Sequence, residues 1–598
     1  MSQKFLPVSK KDLENRGWSR PDFIIISGDA YVDHPSFGVA IVSRLLEAHG
    51  FRVGIIAQPD WRNTDDFKKL GRPALAFLVT GGNIDSMVNH YTAARKRRKK
   101  DAYSPAGKAG FRPDRAGIVY AQKAKEAYSK VPVILGGLEA SLRRLAHYDY
   151  WDDRLRRSLL LDARADLLIY GMAERQIVEV AEALKNGINI KHITFIRGTV
   201  YKAQQIDPDA LGEAEMLPSY DELLSSKERF AASFMQKYRN TDAVNAVTLV
   251  EPYRHAYVVQ NPPAVPLSTE ELDSVYRLPF TKTYHPMYEQ KGGVPAISEV
   301  KHSLVSSRGC FGGCHFCALH FHQGRVVQSR SIPAIVEEAE KLVESPDFKG
   351  YIHDVGGPTA NFRHRSCRRQ VDKGVCPHRK CLAPKPCPNL EVDHTEYLQL
   401  LRKLRNLPGV KKVFIRSGIR YDYLIYDENR QFFEELCKYH ISGQLKVAPE
   451  HVVPEVLEKM GQPGPEVYAR FTREFTAINN KHGLNQYLVP YLISGHPGSD
   501  LQAAIQLAEH LRDIGHTPKQ VQDFYPTPGT MSTCMYYTGL DPRNMEPVYV
   551  PRTQHEKAMQ RALLQYKNPK NRHLVLEALK KAGREDLIGR GEKCLIKH

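Results

Sequence analysis

Long apolar runs, an apolar leader and cysteine are all scarce in this chain of 598 residues. No run of about 18 apolar residues occurs, which excludes an ordinary membrane-spanning helix. The first residues, MSQKFLPVSKKDL, lack the apolar core of a signal peptide. Ten cysteines are too few to hold so long a chain together by disulfides. These absences predict a cytoplasmic protein with no membrane partner.

The length and the charge predict several globular domains and an anionic partner. The chain exceeds the size at which a single core keeps growing, so we expect about two to four domains. Its content of 42% hydrophobic and 25% charged residues is ordinary for globular proteins. A formal charge of +18 indicates an anionic partner, with nucleic acid as the first candidate. The run RKRRKK at 95–100 is either a solvated face or part of a path for a polyanion.

Seven of the ten cysteines fall between residues 310 and 387, and three of these form a C-x3-C-x2-C array. Cys310, Cys314 and Cys317 can ligate three irons of a cubane [4Fe-4S] cluster, because thiolate is the usual protein ligand of such clusters. The fourth iron then stays open, as catalytic metal sites do. The alternatives are a set of buried thiols or a zinc site completed by His315, His320 or His322.

Residues 1–200 alternate short apolar runs with helical stretches. The predicted strands are FIIIS, FRVGII, LAFLVT, VPVILGG, DLLIYG and ITFI, which begin at residues 23, 51, 75, 131, 166 and 193. Strands that alternate with helices indicate a parallel α/β sheet. The pattern weakens over 201–295, which is rich in Pro and Tyr and is predicted to be a connector.

Residues 296–535 give the clearest pattern. Six predicted strands begin near residues 301, 350, 411, 443, 485 and 519, and helical stretches separate them. This pattern predicts an open (β/α)6 barrel, with the cysteine loop after the first strand, at the end where βα barrels keep their active sites. Residues 536–598 are predicted to be a small basic helical tail, with a turn at Gly583.

The cysteine array, with Phe316 just before the third cysteine, resembles the signature of radical S-adenosylmethionine (radical SAM) enzymes. The wider chain resembles the YgiQ-type branch, and KVAPEHVVPEVLEKMGQP also resembles a segment of methylthiotransferase-like and elongator-like members. The resemblance implies a [4Fe-4S] cluster and S-adenosylmethionine (SAM) as cofactors. It also implies a reductant protein, such as flavodoxin or ferredoxin, and a 5′-deoxyadenosyl radical that abstracts hydrogen from a substrate.

The same resemblance implies which strand ends contact SAM. The sequence DVGGPT after the second strand resembles the family's glycine motif, whose backbone carbonyls hold the SAM amino group; a proline stands in place of its acidic residue. Polar residues after the third and fourth strands would bind the SAM carboxylate and ribose, since arginine suits carboxylates. The implied cofactor-binding residues are Phe316, Gly356, Gly357, Pro358, Arg416, Ser417, Lys446, Glu450 and His496.

The N-terminal region resembles the flavodoxin-like domain of cobalamin-dependent radical SAM enzymes. Those domains carry a D-x-H-x-x-G motif, whereas Asp33, His34 and Gly38 stand in DHPSFG, where the spacing is wrong. We therefore expect His34 to be a loop histidine and do not expect cobalamin, although binding without that histidine stays open. A cobalamin-dependent radical SAM methyltransferase is accordingly one alternative function.

A second cysteine group follows the second strand of the predicted barrel, within an insertion over 362–390. The four thiols of this group could hold zinc or an auxiliary iron–sulfur cluster. Unligated thiols are the alternative, because the spacing C-x8-C-x4-C-x5-C matches no common zinc knuckle. Basic residues surround the group and would favour thiolate. Its members are Cys367, Cys376, Cys381 and Cys387.

Together these patterns predict a radical SAM enzyme of unknown substrate. Several separate basic clusters favour RNA or another large anion as that substrate. The competing class is a non-catalytic nucleic-acid-binding protein that holds iron–sulfur or zinc structurally. No general base is identifiable, and radical chemistry need not use one.

Overall fold

The computed structural model describes residues 4–207 and 211–597, and its first unit is built on a nine-stranded sheet. Five of these strands are mutually parallel, as predicted, and four further strands extend one edge. In spatial order the strands are Ala214–Met216, Thr248–Tyr253, Ala256–Gln260, Thr199–Ala203, Leu167–Ile169, Val133–Gly136, Ala76–Thr80, Phe23–Ser27 and Val53–Ala57.

The centre of this sheet is apolar on both faces because helices cover both sides. All five residues of Phe23–Ser27 are buried, which fits a continuous apolar run in a parallel sheet. The main helices of this unit are Gly38–Ala48, Ala116–Ala127, Gly137–Leu142, Glu174–Lys185, Tyr220–Ser225, Lys227–Arg239 and Thr269–Tyr276.

The strand predicted at ITFI, residues 193–196, is wrong. The Asn261 side-chain amide donates to the carbonyls of Thr194 and Ile196 at 2.8 and 3.0 Å, and so takes up acceptors that a ladder would need. The chain enters the sheet later, at Thr199–Ala203, and runs antiparallel to its neighbour. A polar side chain distant in sequence therefore overrode a local β pattern.

The sheet continues beyond residue 200, into the segment predicted to be a connector. Thr248–Tyr253 and Ala256–Gln260 form an antiparallel hairpin that pairs with Thr199–Ala203. The proline-rich connector follows only after Gln260. The weak periodicity of this region reflects short edge strands separated by helices.

The second unit has strands at all six predicted positions, and the ladders that join these strands are parallel, while Ser307–Arg308 and Gln328–Ser329 add a short antiparallel pair around the cysteine loop. One ladder set joins the first three strands and another joins the last three. The strands are Ser303–Val305, Tyr351–Ile352 with Asp354–Gly356, Lys412–Val413, Gln444–Glu450, Tyr487–Ser494 and Gln522–Asp523. The helices between them include Leu319–Gln323, Ile332–Val343, Thr395–Arg405, Gln431–Glu435, Pro454–Met460, Pro465–Lys481 and Leu501–Asp513.

The C-terminal tail packs onto the barrel through helices. Gln554–Leu564 packs against Leu501–Asp513, Arg572–Lys581 packs in turn against Gln554–Leu564, and apolar side chains of all three helices share one buried cluster. Gly583 makes the predicted turn with φ of +66°, and the short Glu585–Leu587 helix follows. Throughout the part of the chain described, no helix combines the length and the apolarity needed to cross a membrane.

The carboxyl ends of the N-terminal strands face the barrel. Glu174 forms a buried ion pair with Arg308, two residues before Cys310. His322, on the short helix after the cysteine loop, bonds to Ser141 with an Nδ1–Oγ distance of 3.0 Å. The N-terminal sheet thus supports the cysteine loop directly.

Candidate active site

The cysteine loop begins at the carboxyl end of Ser303–Val305, as predicted. It turns at Gly309, which has φ of +81°. A β-carbon at that position would lie 2.1 Å from the Val326 carbonyl oxygen, so only glycine allows the loop to pass its returning segment.

Distant elements hold the middle of the loop. His315 donates its backbone N–H to the Met460 carbonyl at 2.8 Å, and its ring Nδ1 lies 2.8 Å from the Lys459 carbonyl oxygen. Its own carbonyl accepts from Ser532 at 3.0 Å. These bonds fix the segment between the second and third cysteines.

The three loop thiols share one buried electrostatic environment. Burial raises the pKa of Cys310, and the neighbouring Cys314 raises it further. Burial, followed by Cys314 and Cys310, raises the pKa of Cys317 to about 12. The raised pKa values favour neutral thiols at Cys310 and Cys317 when no metal is bound, and an iron–sulfur cluster would supply the positive charge that stabilises them as thiolates.

The zinc alternative for this loop stays a prediction, as does the cluster. Among residues 4–207 and 211–597, no three Cys, His, Asp or Glu side chains converge where one metal ion could sit. Burial lowers the pKa of His315 and His320 well below the usual value, which keeps both rings neutral, the form in which histidine ligates a metal. A [4Fe-4S] cluster spreads its thiolates over different irons, so it does not require convergence on one point.

Two residues that sequence reasoning missed contact the loop thiols. The Arg420 Nη1 lies 3.0 Å from the Cys314 Sγ. The Thr359 Oγ1 lies 3.7 Å from the Cys310 Sγ. Thr359 directly follows the Gly-Gly-Pro motif, so this contact places the first cysteine beside the predicted SAM loop. Thr359 is the last residue of the DVGGPT motif, in which only the glycines and the proline were singled out, whereas no local pattern identifies Arg420, which comes from a later strand end.

The glycine motif after the second strand is tightly enclosed. A β-carbon on Gly356 would lie 2.1 Å from the Ser417 Oγ, and one on Gly357 would lie 2.3 Å from the Ser307 carbonyl oxygen. Asp354 accepts from the Ser417 hydroxyl at 2.6 Å and from the Arg416 backbone N–H at 2.7 Å. The Arg416 side chain is exposed. The second and third strand ends therefore form one unit.

Lys446 and Glu450 lie on the fourth strand. Leu445 and Val447 pack against the outer helices, so Lys446 faces the other side of the strand, where it is exposed. Glu450 is buried in the left-handed region with φ of +66°. Its Oε2 has no hydrogen-bond partner within the described parts of the chain, and burial raises its pKa to about 8.

His496 is fully buried and is engaged at both ring nitrogens. Nε2 lies 2.7 Å from the Ser532 Oγ, and Nδ1 lies 2.7 Å from the Pro497 carbonyl oxygen. Phe316 packs edge-on against its ring with centroids 6.2 Å apart. His496 thus supports Phe316 and leaves Phe316 as the half-buried member of the pair.

The second cysteine group lies on an insertion that docks onto the cysteine loop. Lys380 donates to the Gly313 carbonyl at 2.7 Å. Burial raises the pKa of Cys381, and the nearby Cys367 and Cys387 add to the rise. Cys376 is exposed. Metal binding by this group stays a prediction.

A cavity of about 510 Å³ separates the N-terminal sheet from the barrel. Its apolar wall comes from strand residues that include Ile25, Leu78, Ile134 and Ile169. Its opposite wall is formed by residues that include Gly356, Gly357, Pro358, Arg308 and His322. His34 lies off this cavity lining, and its Nδ1 accepts from the Ser36 backbone N–H at 3.1 Å.

Comparisons with known proteins cover nearly the whole chain. A family model described as Radical SAM N-terminal matches residues 5–303, and one described as Radical SAM superfamily matches 304–511. A third, described as a domain of unknown function (DUF3362), matches 519–598. A UPF0313 protein of Clostridium perfringens (strain 13 / Type A) is 59% identical over 594 residues, covering 99% of this chain and 90% of its own. One from Clostridium botulinum (strain 657 / Type Ba4) is 59% identical over 592 residues, covering 99% and 92%.

Two solved structures are similar at low identity. The radical SAM methyltransferase TsrM from Kitasatospora setae, with cobalamin and a [4Fe-4S] cluster bound, has a TM-score of 0.47 at 13% identity, covering 94% of this chain and 99% of its own. The cobalamin-dependent SAM radical enzyme OxsB, with aqua-cobalamin bound, has a TM-score of 0.47 at 11% identity, covering 95% and 72%. These values are too low to establish a shared fold.

We expect Gly356→Ala to distort the glycine motif, because the added β-carbon meets Ser417 and overpacking costs about 1–3 kcal/mol. The matched control is Gly418→Ala, whose β-carbon meets nothing within 4 Å. Thermal unfolding and SAM binding by calorimetry should both weaken in the first variant only. Equal SAM affinity in the two variants would contradict a role for this motif in binding.

The raised pKa of Glu450 predicts a pH-dependent stability of the cluster-free protein. Because the folded state holds this proton more tightly than the unfolded state, the contribution is present below the unfolded pKa and is lost as pH rises towards 8. Glu450→Gln should therefore flatten the fall in melting temperature between pH 5 and 8, a window bounded roughly by the two pKa values. If the melting temperature instead changes with pH in the same way in both proteins, Glu450 is already ionised across this pH range and the prediction is contradicted.

Proposed function

The chain belongs to the UPF0313 family within the radical SAM superfamily, and from this premise we propose that it cleaves SAM reductively and abstracts hydrogen from a substrate. The resemblance to YgiQ-type radical SAM proteins is thereby confirmed. The observation that carries the proposed reaction is the contact of Cys310 with Thr359, next to the glycine motif, in a loop where Cys314 and Cys317 lie close enough to affect each other's pKa. In this proposal, the cluster site and the SAM site would adjoin at the carboxyl end of the barrel.

A [4Fe-4S] cluster supplies, when bound, the single electron that breaks a carbon–sulfur bond of SAM to give methionine and a 5′-deoxyadenosyl radical. Cys310, Cys314 and Cys317 would hold that cluster. The Gly356–Gly357 backbone would accept from the SAM amine, and the exposed Arg416 guanidinium suits its carboxylate. The reductant is proposed to be a small electron-transfer protein such as flavodoxin or ferredoxin.

Glu450 has the properties of a ribose-binding residue in this scheme. Its buried Oε2 lacks a partner among the residues described, and a ribose hydroxyl would satisfy it. A raised pKa allows the carboxyl to act as donor or acceptor near neutral pH. The left-handed backbone of a non-glycine residue adds the strain that often accompanies functional sites.

Two features support different sizes of substrate. The cavity of about 510 Å³ lies within the range typical of small-molecule sites. Arg308 lines it, and its buried Nη2 has no partner in the described ranges, so it is available to a hydrogen-bond acceptor. The exposed run at 95–100 and the basic insertion instead support RNA or another large anion bound at the surface. We propose a polyanion from which one group enters the cavity.

The reaction is tested by anaerobic reconstitution with iron and sulfide, followed by dithionite and SAM. We expect 5′-deoxyadenosine from the native chain and none from the triple Cys310, Cys314, Cys317 to Ala variant, because the cluster loses its protein ligands. Cys594→Ala is the control for loss of an unrelated thiol, and it should keep full activity.

The same preparations decide the second cysteine group. A variant with Cys367, Cys376, Cys381 and Cys387 changed to Ala should lose metal that the loop variant retains. If the native protein reconstitutes fully but neither binds SAM nor forms deoxyadenosine, the enzyme proposal is contradicted and a nucleic-acid-binding protein is favoured.

A second candidate is a cobalamin-dependent radical SAM methyltransferase. The observation that favours it is the cavity, which lies between the carboxyl ends of the N-terminal strands and the glycine motif. Open α/β sheets bind ligands outside these strand ends. His34 does not line the cavity, so a corrinoid would bind here without that ligand.

Titration with hydroxocobalamin, followed by absorbance and gel filtration, tests this candidate. Gly38 lines the cavity and has free space around its β-carbon position, so Gly38→Phe should reduce binding by steric occupation. His49→Phe, at the exposed far end of the same helix, is the matched control. Corrinoid that elutes apart from native protein, or binds both variants equally, excludes this cavity as its site.

A further inference from the structure

Arg420 reaches the cysteine loop from 106 residues away along the chain. Its Nη1 lies 3.0 Å from the Cys314 Sγ. The other edge of its guanidinium is held by Asp422, with Nε–Oδ1 and Nη2–Oδ2 distances of 2.7 and 2.5 Å. Asp422 is 1% exposed, so this ion pair is shielded from water. One N–H of a charged, fixed donor is therefore directed at one cluster thiol.

The backbone of Arg420 is also fixed. Asn361 accepts from its N–H at 2.9 Å and donates to its carbonyl at 3.2 Å. The Asn361 amide nitrogen lies 3.0 Å from the His394 Nε2, and His394 in turn bonds to Asp427 at 2.6 Å. Asn361, His394 and Asp427 are all buried. A hydrogen-bond chain through three elements thus holds the arginine in one position.

Gly312 provides the space that this arginine needs. A β-carbon at that position would lie 2.7 Å from the Arg420 Nη1 and 3.4 Å from the Cys310 Sγ. Its φ lies outside the left-handed range that requires glycine. The reason for glycine here is therefore the close approach of the guanidinium to the loop.

Resting on the radical SAM function proposed above, we propose that Arg420 is a positioning residue that raises the reduction potential of the cluster held by Cys310, Cys314 and Cys317. Adding one electron to the cluster increases negative charge on its sulfur ligands, and an N–H donor stabilises the more negative state more strongly. Hydrogen bonds to sulfur are an established determinant of cluster potential.

The buried carboxylate of Asp422 determines whether Arg420 raises the reduction potential through its net charge or through its N–H donor. It offsets the full charge of Arg420, so the site gains a directed N–H rather than an unpaired cation. The one-electron reduction itself moves no proton and breaks no bond at these residues. An external one-electron donor, dithionite in the experiment below, supplies the electron.

The test is a redox titration of the reconstituted full-length protein, in which the reduced cluster is measured by electron paramagnetic resonance. Arg420→Gln removes the charged donor. Arg420→Lys keeps a positive charge but cannot bond to Asp422 and Cys314 through two edges of one planar group. Gly312→Ala keeps the arginine but displaces its guanidinium. At the native midpoint potential, we expect the ratio of reduced to oxidised cluster to fall about tenfold in Arg420→Gln and Gly312→Ala, which corresponds to 59 mV for one electron. Arg420→Lys should fall between these and the native protein.

Arg369→Gln is the matched control, because Arg369 is an exposed arginine of the nearby insertion. Its midpoint should equal that of the native protein. The titration follows the loaded fraction only, so a variant that binds less iron still gives its potential. Native midpoints in both Arg420→Gln and Gly312→Ala would overturn the inference while leaving the proposed function intact. A native chain that assembles no cluster would instead overturn both.

Discussion

The site depends on a loop whose backbone is held by parts of the chain that lie far from it. His315 is bonded to the end of Pro454–Met460 and to the start of Met531–Thr538, so the cysteine loop is correctly shaped only when the fourth to sixth strands are in place. Gly309 allows the loop to pass Val326 without a steric clash. The three cysteines proposed as cluster ligands are local in sequence, whereas the geometry of their loop depends on the whole barrel.

Buried charge is concentrated around this loop, and most of it is paired. Arg308 pairs with Glu174, and Arg420 pairs with Asp422. Removing one partner from such a pair leaves an uncompensated buried charge, which typically costs about 3–5 kcal/mol. Glu450 differs, because one of its carboxyl oxygens has no partner in the described structure. A ligand that binds there would gain an interaction that the protein alone leaves unmade.

The N-terminal sheet contributes to the site in two ways. Glu174 pairs with Arg308 at the start of the cysteine loop, and Ser141 bonds to His322 on the helix that follows the loop. The sheet also forms the wall of the cavity opposite the glycine motif. Strand ends of two α/β units therefore face each other across one space. Residues of both units therefore line the cavity.

The order of strands and helices in the barrel and the position of the cysteine loop could be predicted from the sequence, because periodicity and residue spacing are local properties. The strand predicted at residues 193–196 does not form, because the Asn261 side chain donates hydrogen bonds to its backbone carbonyls. The edge strands up to Gln260 were not predicted. The contacts of Arg420 with Cys314 and of Lys380 with Gly313 were decided only by the tertiary structure. They join side chains to loops across long chain separations, and no local pattern encodes which donors will meet which thiols.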